Sequence, residues 1–117
     1  MLRVVNVTRQ RTVATSAKAA RTLLSRLRGL LWGPPLAEGE GLYLVPCQSI
    51  HMIGMTFPID AICVDRQGIV VGLVKEIKPL RISGYFWKAL GCLELPAGTI
   101  TTTGTACGDH LEFEELG

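Results

Sequence analysis

The densest run of chemically capable side chains is PCQSIHMIGMTFPID, residues 46–60. It places Cys47, Ser49, His51, Met52, Met55 and Asp60 inside an otherwise apolar stretch, where each polar group needs a partner. Two kinds of chemistry fit these residue types. Thiolate, imidazole and thioether are copper ligands, and Cys47, His51 and Met55 stand at i, i+4 and i+8. Alternatively, Cys47 or Ser49 would be a nucleophile, His51 its base and Asp60 the group that orients the imidazole. Ser49 and His51 are two apart, so in an extended segment their Cα atoms lie roughly 6.5–7 Å apart and contact requires the loop to bend. No nucleophile elbow or papain-type signature accompanies them. A third reading is structural. Ser49 and His51 would satisfy loop backbone groups, Met52 and Met55 would fill the core, and Asp60 would cap a turn or accept loop N–H groups.

The elements that must position this block are mostly strands. Residues 2–8 read as a strand, and 11–15 as its partner. Ser16 reads as the N-cap of an amphipathic helix over about 17–31, with Ala20, Leu23, Leu24, Leu27, Leu30 and Leu31 on one stripe and Lys18, Arg21, Ser25 and Arg28 opposite. Residues 41–46, 59–64 and 69–74 read as strands, the last two joined by a hairpin at Asp65-Arg66-Gln67-Gly68. Residues 79–88 carry Tyr85, Phe86 and Trp87 among basic residues and read as a loop. A strand at 89–95, a short helical turn after Pro96-Ala97-Gly98 and an alternating strand at 108–114 complete the pattern. Glu94 lies between Leu93 and Leu95. Its face is the solvent face unless it is covered, in which case it needs a partner such as an arginine or a loop N–H.

These elements predict one domain over residues 1–117: mainly β, a small antiparallel sandwich or barrel of jelly-roll-like form, with the 17–31 helix covering it. The 117-residue chain is 48% hydrophobic and 19% charged, which excludes disorder throughout. A net charge of +2 argues against a nucleic-acid partner. Residues 1–31 hold seven basic residues and no acid, and 109–117 hold four acids and no base. The two ends are expected to neutralise each other or to form solvated faces. Residues 41–59 carry no charge, but Pro46, Pro58, Gln48, Ser49 and His51 make a membrane span a poor reading. Cys47, Cys63, Cys92 and Cys107 form no Cys-x-x-Cys motif, and Cys63 and Cys92 read as buried small hydrophobes. With Arg3 and Asn6 interrupting the first apolar run, the expectation is a cytoplasmic protein with reduced thiols.

Four segments together resemble the prokaryotic family known as domain of unknown function 192. They are ARTLLSRLRGLL (20–31), GEGLYLVPCQSIHMIGMTFPIDAICVDRQGIV (39–70), LELPAGT (93–99) and GDHLEF (108–113). The family pattern falls here on Pro46, Cys47, Ser49, His51, Met55, Phe57, Pro58, Ile59 and Asp60, with Glu94, Pro96, Gly98, Gly108 and Asp109 beyond them. The resemblance implies a small mainly-β sandwich or barrel and brings no established activity. Many relatives carry a secretion signal, which the first residues here do not resemble.

The expected function is a small binding module. Its site would be formed by the 47–60 loop, with Cys47, Ser49, His51, Met55 and Asp60 as the polar residues, and by the aromatic–basic 78–88 loop. The ligand would be a small molecule, an anion or a metal, with Cys47, His51 and Met55 as the metal candidates; the residues name no cofactor. One alternative is a hydrolytic or thiol enzyme using Cys47 or Ser49 with His51 and Asp60. Another is an interaction protein that meets an acidic partner through the basic helix face.

Overall fold

Short runs of β-branched and aliphatic residues, separated by glycine and proline turns, fold into one seven-stranded sheet. The computed structural model describes residues 1–21, 35–50, 57–78 and 83–116. In chain order the strands are β1 (Leu2–Asn6), β2 (Arg11–Ala20), β3 (Glu40–Leu44), β4 (Ile59–Val64), β5 (Val70–Ile77), β6 (Gly91–Pro96) and β7 (Leu111–Glu115). A short helix, α1 (Thr99–Thr103), lies between β6 and β7. Across the sheet the order is β5-β4-β6-β3-β2-β1-β7. The sheet curls so that its two outer strands meet. Ile69 and His110 form an antiparallel bridge, Val70 N–H donates to the Asp109 carbonyl at 2.8 Å, and Leu111 N–H donates to the Gly68 carbonyl at 2.8 Å. Closure of this kind satisfies edge groups that would otherwise stay unpaired. The mainly-β barrel-like class expected from the sequence is therefore what forms.

The β4–β5 hairpin also forms as expected. Asp65 Oδ1 accepts from Gln67 and Ile69 N–H, and Gly68 takes φ +82°, a left-handed conformation that favours glycine. A Cβ at this position would meet the Leu111 carbonyl oxygen, so a side chain there would also collide with the closing strand.

Residues 17–20 do not begin a helix. β2 continues through Ala20, and Ser16 pairs with Glu40 rather than capping. β2 pairs with β3 in parallel from Ser16↔Glu40 to Ala20↔Leu44, so the sheet is not purely antiparallel. Alanines favour helix in isolation, but here their small side chains let β2 lie close to β3. The Cβ position of Gly41 is 3.4 Å from the Ala17 Cβ. Residues 22–31 of the expected helix lie outside the described residues.

Both faces of the central strands are buried. One face gathers Val4, Val13, Ile62, Leu93, Leu95 and Leu111 around Ile100 of α1. The other gathers Leu42, Leu44, Ile50, Ile59, Cys63 and Cys92. The opposite charges at the chain ends meet: β1 pairs with β7, Arg3 lies 4.0 Å from Glu114, and the Arg9 Nε donates to Asp109 Oδ2 at 2.9 Å. Asp109 is buried and also accepts from the Asn6 amide at 2.9 Å and from Ala106 N–H at 3.0 Å. The Arg9 hydrogen bond, with those from Asn6 and Ala106, holds its carboxyl down to about 2.

Candidate functional site

The segment after β3 is zipped to the loop before β6. Cys47 N–H donates to the Leu90 carbonyl (2.9 Å), Phe86 N–H to the Gln48 carbonyl (2.8 Å) and Ser83 N–H to the Ile50 carbonyl (2.7 Å). The Gln48 side-chain amide donates to the Trp87 carbonyl at 2.8 Å, and Ile50 N–H donates to the Ser83 hydroxyl at 2.8 Å. Residues 47–50 and the aromatic loop thus form one surface. Phe86 holds that surface to the sheet. Its ring fills the space over Gly72 of β5, where a Cβ would otherwise stand. The neighbours of Phe86 point outward: Tyr85 is 67% exposed and Trp87 70% exposed. The Lys88 Nζ sits 5.2 Å from the Trp87 ring centroid, within cation–π range.

Cys47 is half-buried, and its thiol donates to the Ser49 carbonyl at 3.1 Å. The nearby Ser49 acceptor is therefore its backbone oxygen. Asp60 is carried to the other side of the sheet. It pairs with Leu95 on β6, on the face that holds Ile62 and Leu93, whereas Cys47 packs against the face that holds Cys63 and Cys92. Both Asp60 oxygens are occupied. Oδ1 accepts from Glu76 N–H and Oδ2 from Ile100 N–H, each at 2.8 Å. Glu76 lies where the β4–β5 register shifts, with φ +47°, and Ile100 lies in the first turn of a helix whose N-cap is glycine. Asp60 thus supplies acceptors to two donors that a bulge and an uncapped helix end leave over. The structure brings Cys47 and Ser49 together and sets Asp60 apart from them. His51 and Met55 lie outside the described residues, and so does Met52. Among the described residues no group of three or more His, Cys, Asp or Glu side chains could hold a metal ion.

Two features were not expected. Cys63 and Cys92 are partners on neighbouring strands, with Cα atoms 4.0 Å apart, and form a disulfide. The expectation of reduced thiols throughout is corrected accordingly. Hairpin and strand spacing give no sign of this pairing, because it depends on β4 and β6 being neighbours across 29 residues. The second feature is Glu94. It is 5% exposed, flanked by Leu42 and Ala61 on adjacent strands, and has no partner among the described residues. Burial alone raises its carboxyl to about 7. It shares a strand face with Cys92, two residues away.

A separate groove of about 490 Å³ runs between β2 and α1, lined by Thr12, Thr15, Glu38, Thr99 and Thr102 among others. Its size suits a small ligand. It shares no lining residue with the Cys47 surface. No helix among the described residues is long and apolar enough to cross a membrane.

Comparison with known proteins agrees with the fold. A protein of unknown function from Novosphingobium aromaticivorans superposes with a TM-score of 0.81 at 23% identity, covering 95% of this chain and 82% of that one. A "putative transcription regulator" from Sinorhizobium meliloti superposes with a TM-score of 0.82 at 22% identity, covering 96% and 91%. At such identities the likeness is one of fold. No curated protein matches the chain. The model of the DUF192 family, described as "Uncharacterized ACR", matches residues 4–113, and the chain belongs to that family.

Proposed function

We propose that this chain is a small binding module whose ligand docks on the surface made by residues 47–50 and 83–90. The observation that supports this reading is the anchoring of Phe86 over Gly72 between two exposed rings, Tyr85 and Trp87. Aromatic rings held outward by their own loop offer faces on which a planar ligand can stack. Lys88 beside Trp87 adds a positive charge at its edge. The ligand class that fits is a small planar ring compound carrying an anionic group.

The enzyme reading is less well supported. Asp60 is committed to two backbone N–H groups on the opposite face, so it is not held beside Cys47. The basic helix face of the interaction reading lies, beyond Arg21, outside the described residues. A cytoplasmic location belongs to the proposal as well, and there the Cys63–Cys92 bond would stand under reducing conditions.

The test is isothermal titration with a panel of heteroaromatic carboxylates and phosphates. Trp87→Ala or Lys88→Ala should weaken any ligand found by about tenfold, with little change in melting temperature, because both side chains are exposed. Undiminished binding to Trp87→Ala would place the ligand elsewhere. A panel without a single binder would remove the reading for this ligand class.

A further inference from the structure

We propose that Cys47 is a thiol relay that connects the buried Cys63–Cys92 disulfide to solvent. The proposal is independent of the ligand reading and rests on the packing of Cys47 against the cluster that holds both disulfide partners. Cys63 and Cys92 are both 0% exposed, so an external reductant cannot reach their sulfurs in the folded protein. Cys47 is half-buried, keeps its thiol and packs against the cluster that contains both disulfide partners. The Cys92 Sγ lies 3.6 Å from the Cys47 carbonyl oxygen, which puts the Cys47 side chain within one residue's reach of the bond. Cys107, the other thiol, is exposed and belongs to the turn before β7, outside this cluster.

The exchange conserves electrons. The Cys47 thiolate attacks Cys92 Sγ, a Cys47–Cys92 bond forms and the Cys63–Cys92 bond breaks. Cys63 leaves as a thiolate, and the proton it takes up matches the one Cys47 gave up to solvent. The rearranged bond now includes a half-exposed sulfur. A low-molecular-weight dithiol can attack Cys47, form a mixed disulfide and close on itself, which leaves Cys47, Cys63 and Cys92 all as thiols beside Cys107 and releases an oxidised dithiol. Cys92 is the sulfur assigned to the attack because it is the disulfide partner whose Sγ lies against the Cys47 backbone. Ser49, whose carbonyl accepts the Cys47 thiol, lies on the loop that must give for the sulfurs to align.

The experiment is reduction of the native protein by dithiothreitol, with timed alkylation and peptide mapping. The wild type should lose the Cys63–Cys92 bond at least about tenfold faster than Cys47→Ser, since a neighbouring thiol acts at high effective concentration. A Cys47–Cys92 peptide should appear transiently. Cys47→Ala should behave as Cys47→Ser does, which separates loss of the thiol from an effect of the new hydroxyl. Cys107→Ser should match the wild type. Equal rates in wild type and Cys47→Ser, or rates in both that track global unfolding measured in urea, would overturn the relay. So would an intermediate that joins Cys107 to either partner.

Discussion

Replacing Glu94 with glutamine isolates the energetic consequence of a buried carboxyl without a described partner. The native group holds its proton up to about pH 7, whereas the unfolded chain releases it near the ordinary value of 4.5. Between these values the folded state binds more protons than the unfolded one, so stability falls as pH rises. The protonated form contributes fully below about pH 4.5, and that contribution is gone above about pH 7. An interval of about 2.5 units at about 1.4 kcal/mol per unit amounts to ~3 kcal/mol. A glutamine side chain in its place would occupy similar volume and stay neutral throughout. The assay is urea unfolding of both proteins at pH 5, 6, 7 and 8. Subtracting the two curves removes every titration they share, and Asp109, whose carboxyl titrates near 2, lies outside this range. The Glu94→Gln variant should gain on the wild type by roughly 2–3 kcal/mol from pH 5 to 8, most of it before pH 7, the rest of the ~3 kcal/mol lying below pH 5. Parallel pH profiles would refute the reasoning, because they would mean that Glu94 ionises in the folded state as it does in the unfolded one.

Three further outcomes follow from the geometry. Asp60→Asn keeps one acceptor and turns an amide donor toward the other N–H, so it should cost about 2 kcal/mol in urea unfolding. Gly72→Ala drives a methyl group into the Phe86 ring and should cost ~1–3 kcal/mol, with faster hydrogen exchange at Phe86 and Ala89 as the aromatic loop lifts. Asp109, held down by Arg9, Asn6 and Ala106, stabilises the fold above its ordinary value of 3.8 and loses that contribution as pH falls toward 2. Arg9→Ala should therefore shift the acid-unfolding midpoint upward, as read by circular dichroism.

What the sequence made legible was local. The span Ile59–Val64 is apolar apart from Asp60 and is bounded by Pro58 and an Asp-Arg-Gln-Gly turn, so strand and hairpin follow from neighbours alone. Three features were not legible, and each depends on contacts far along the chain. The stretch Ala17–Ala20 becomes strand because β3 offers it a parallel edge, which outweighs the helix preference of alanine. Cys63 and Cys92 join because β4 and β6 are neighbours in the sheet order. Asp60 looked like a companion of Cys47 because the two are near in sequence. Alternation along β4 sends it to the opposite face, where a bulged Glu76 N–H and the first turn of α1 take its two oxygens. Glu94 stood out in the sequence, but whether its face is covered was left open. It is an acid in the run Leu93-Glu94-Leu95, on a strand with neighbours on both sides.

We propose that the surface of residues 47–50 and 83–90 receives a small anionic ring compound. This is tested most directly by amide chemical-shift mapping during titration with the heteroaromatic panel. Shifts concentrated at Gln48, Tyr85, Trp87 and Lys88 and saturating with the ligand are the predicted result. Shifts confined to the threonine-lined groove at Thr12, Thr15, Thr99 and Thr102 would contradict it and move the binding site away from the aromatic loop.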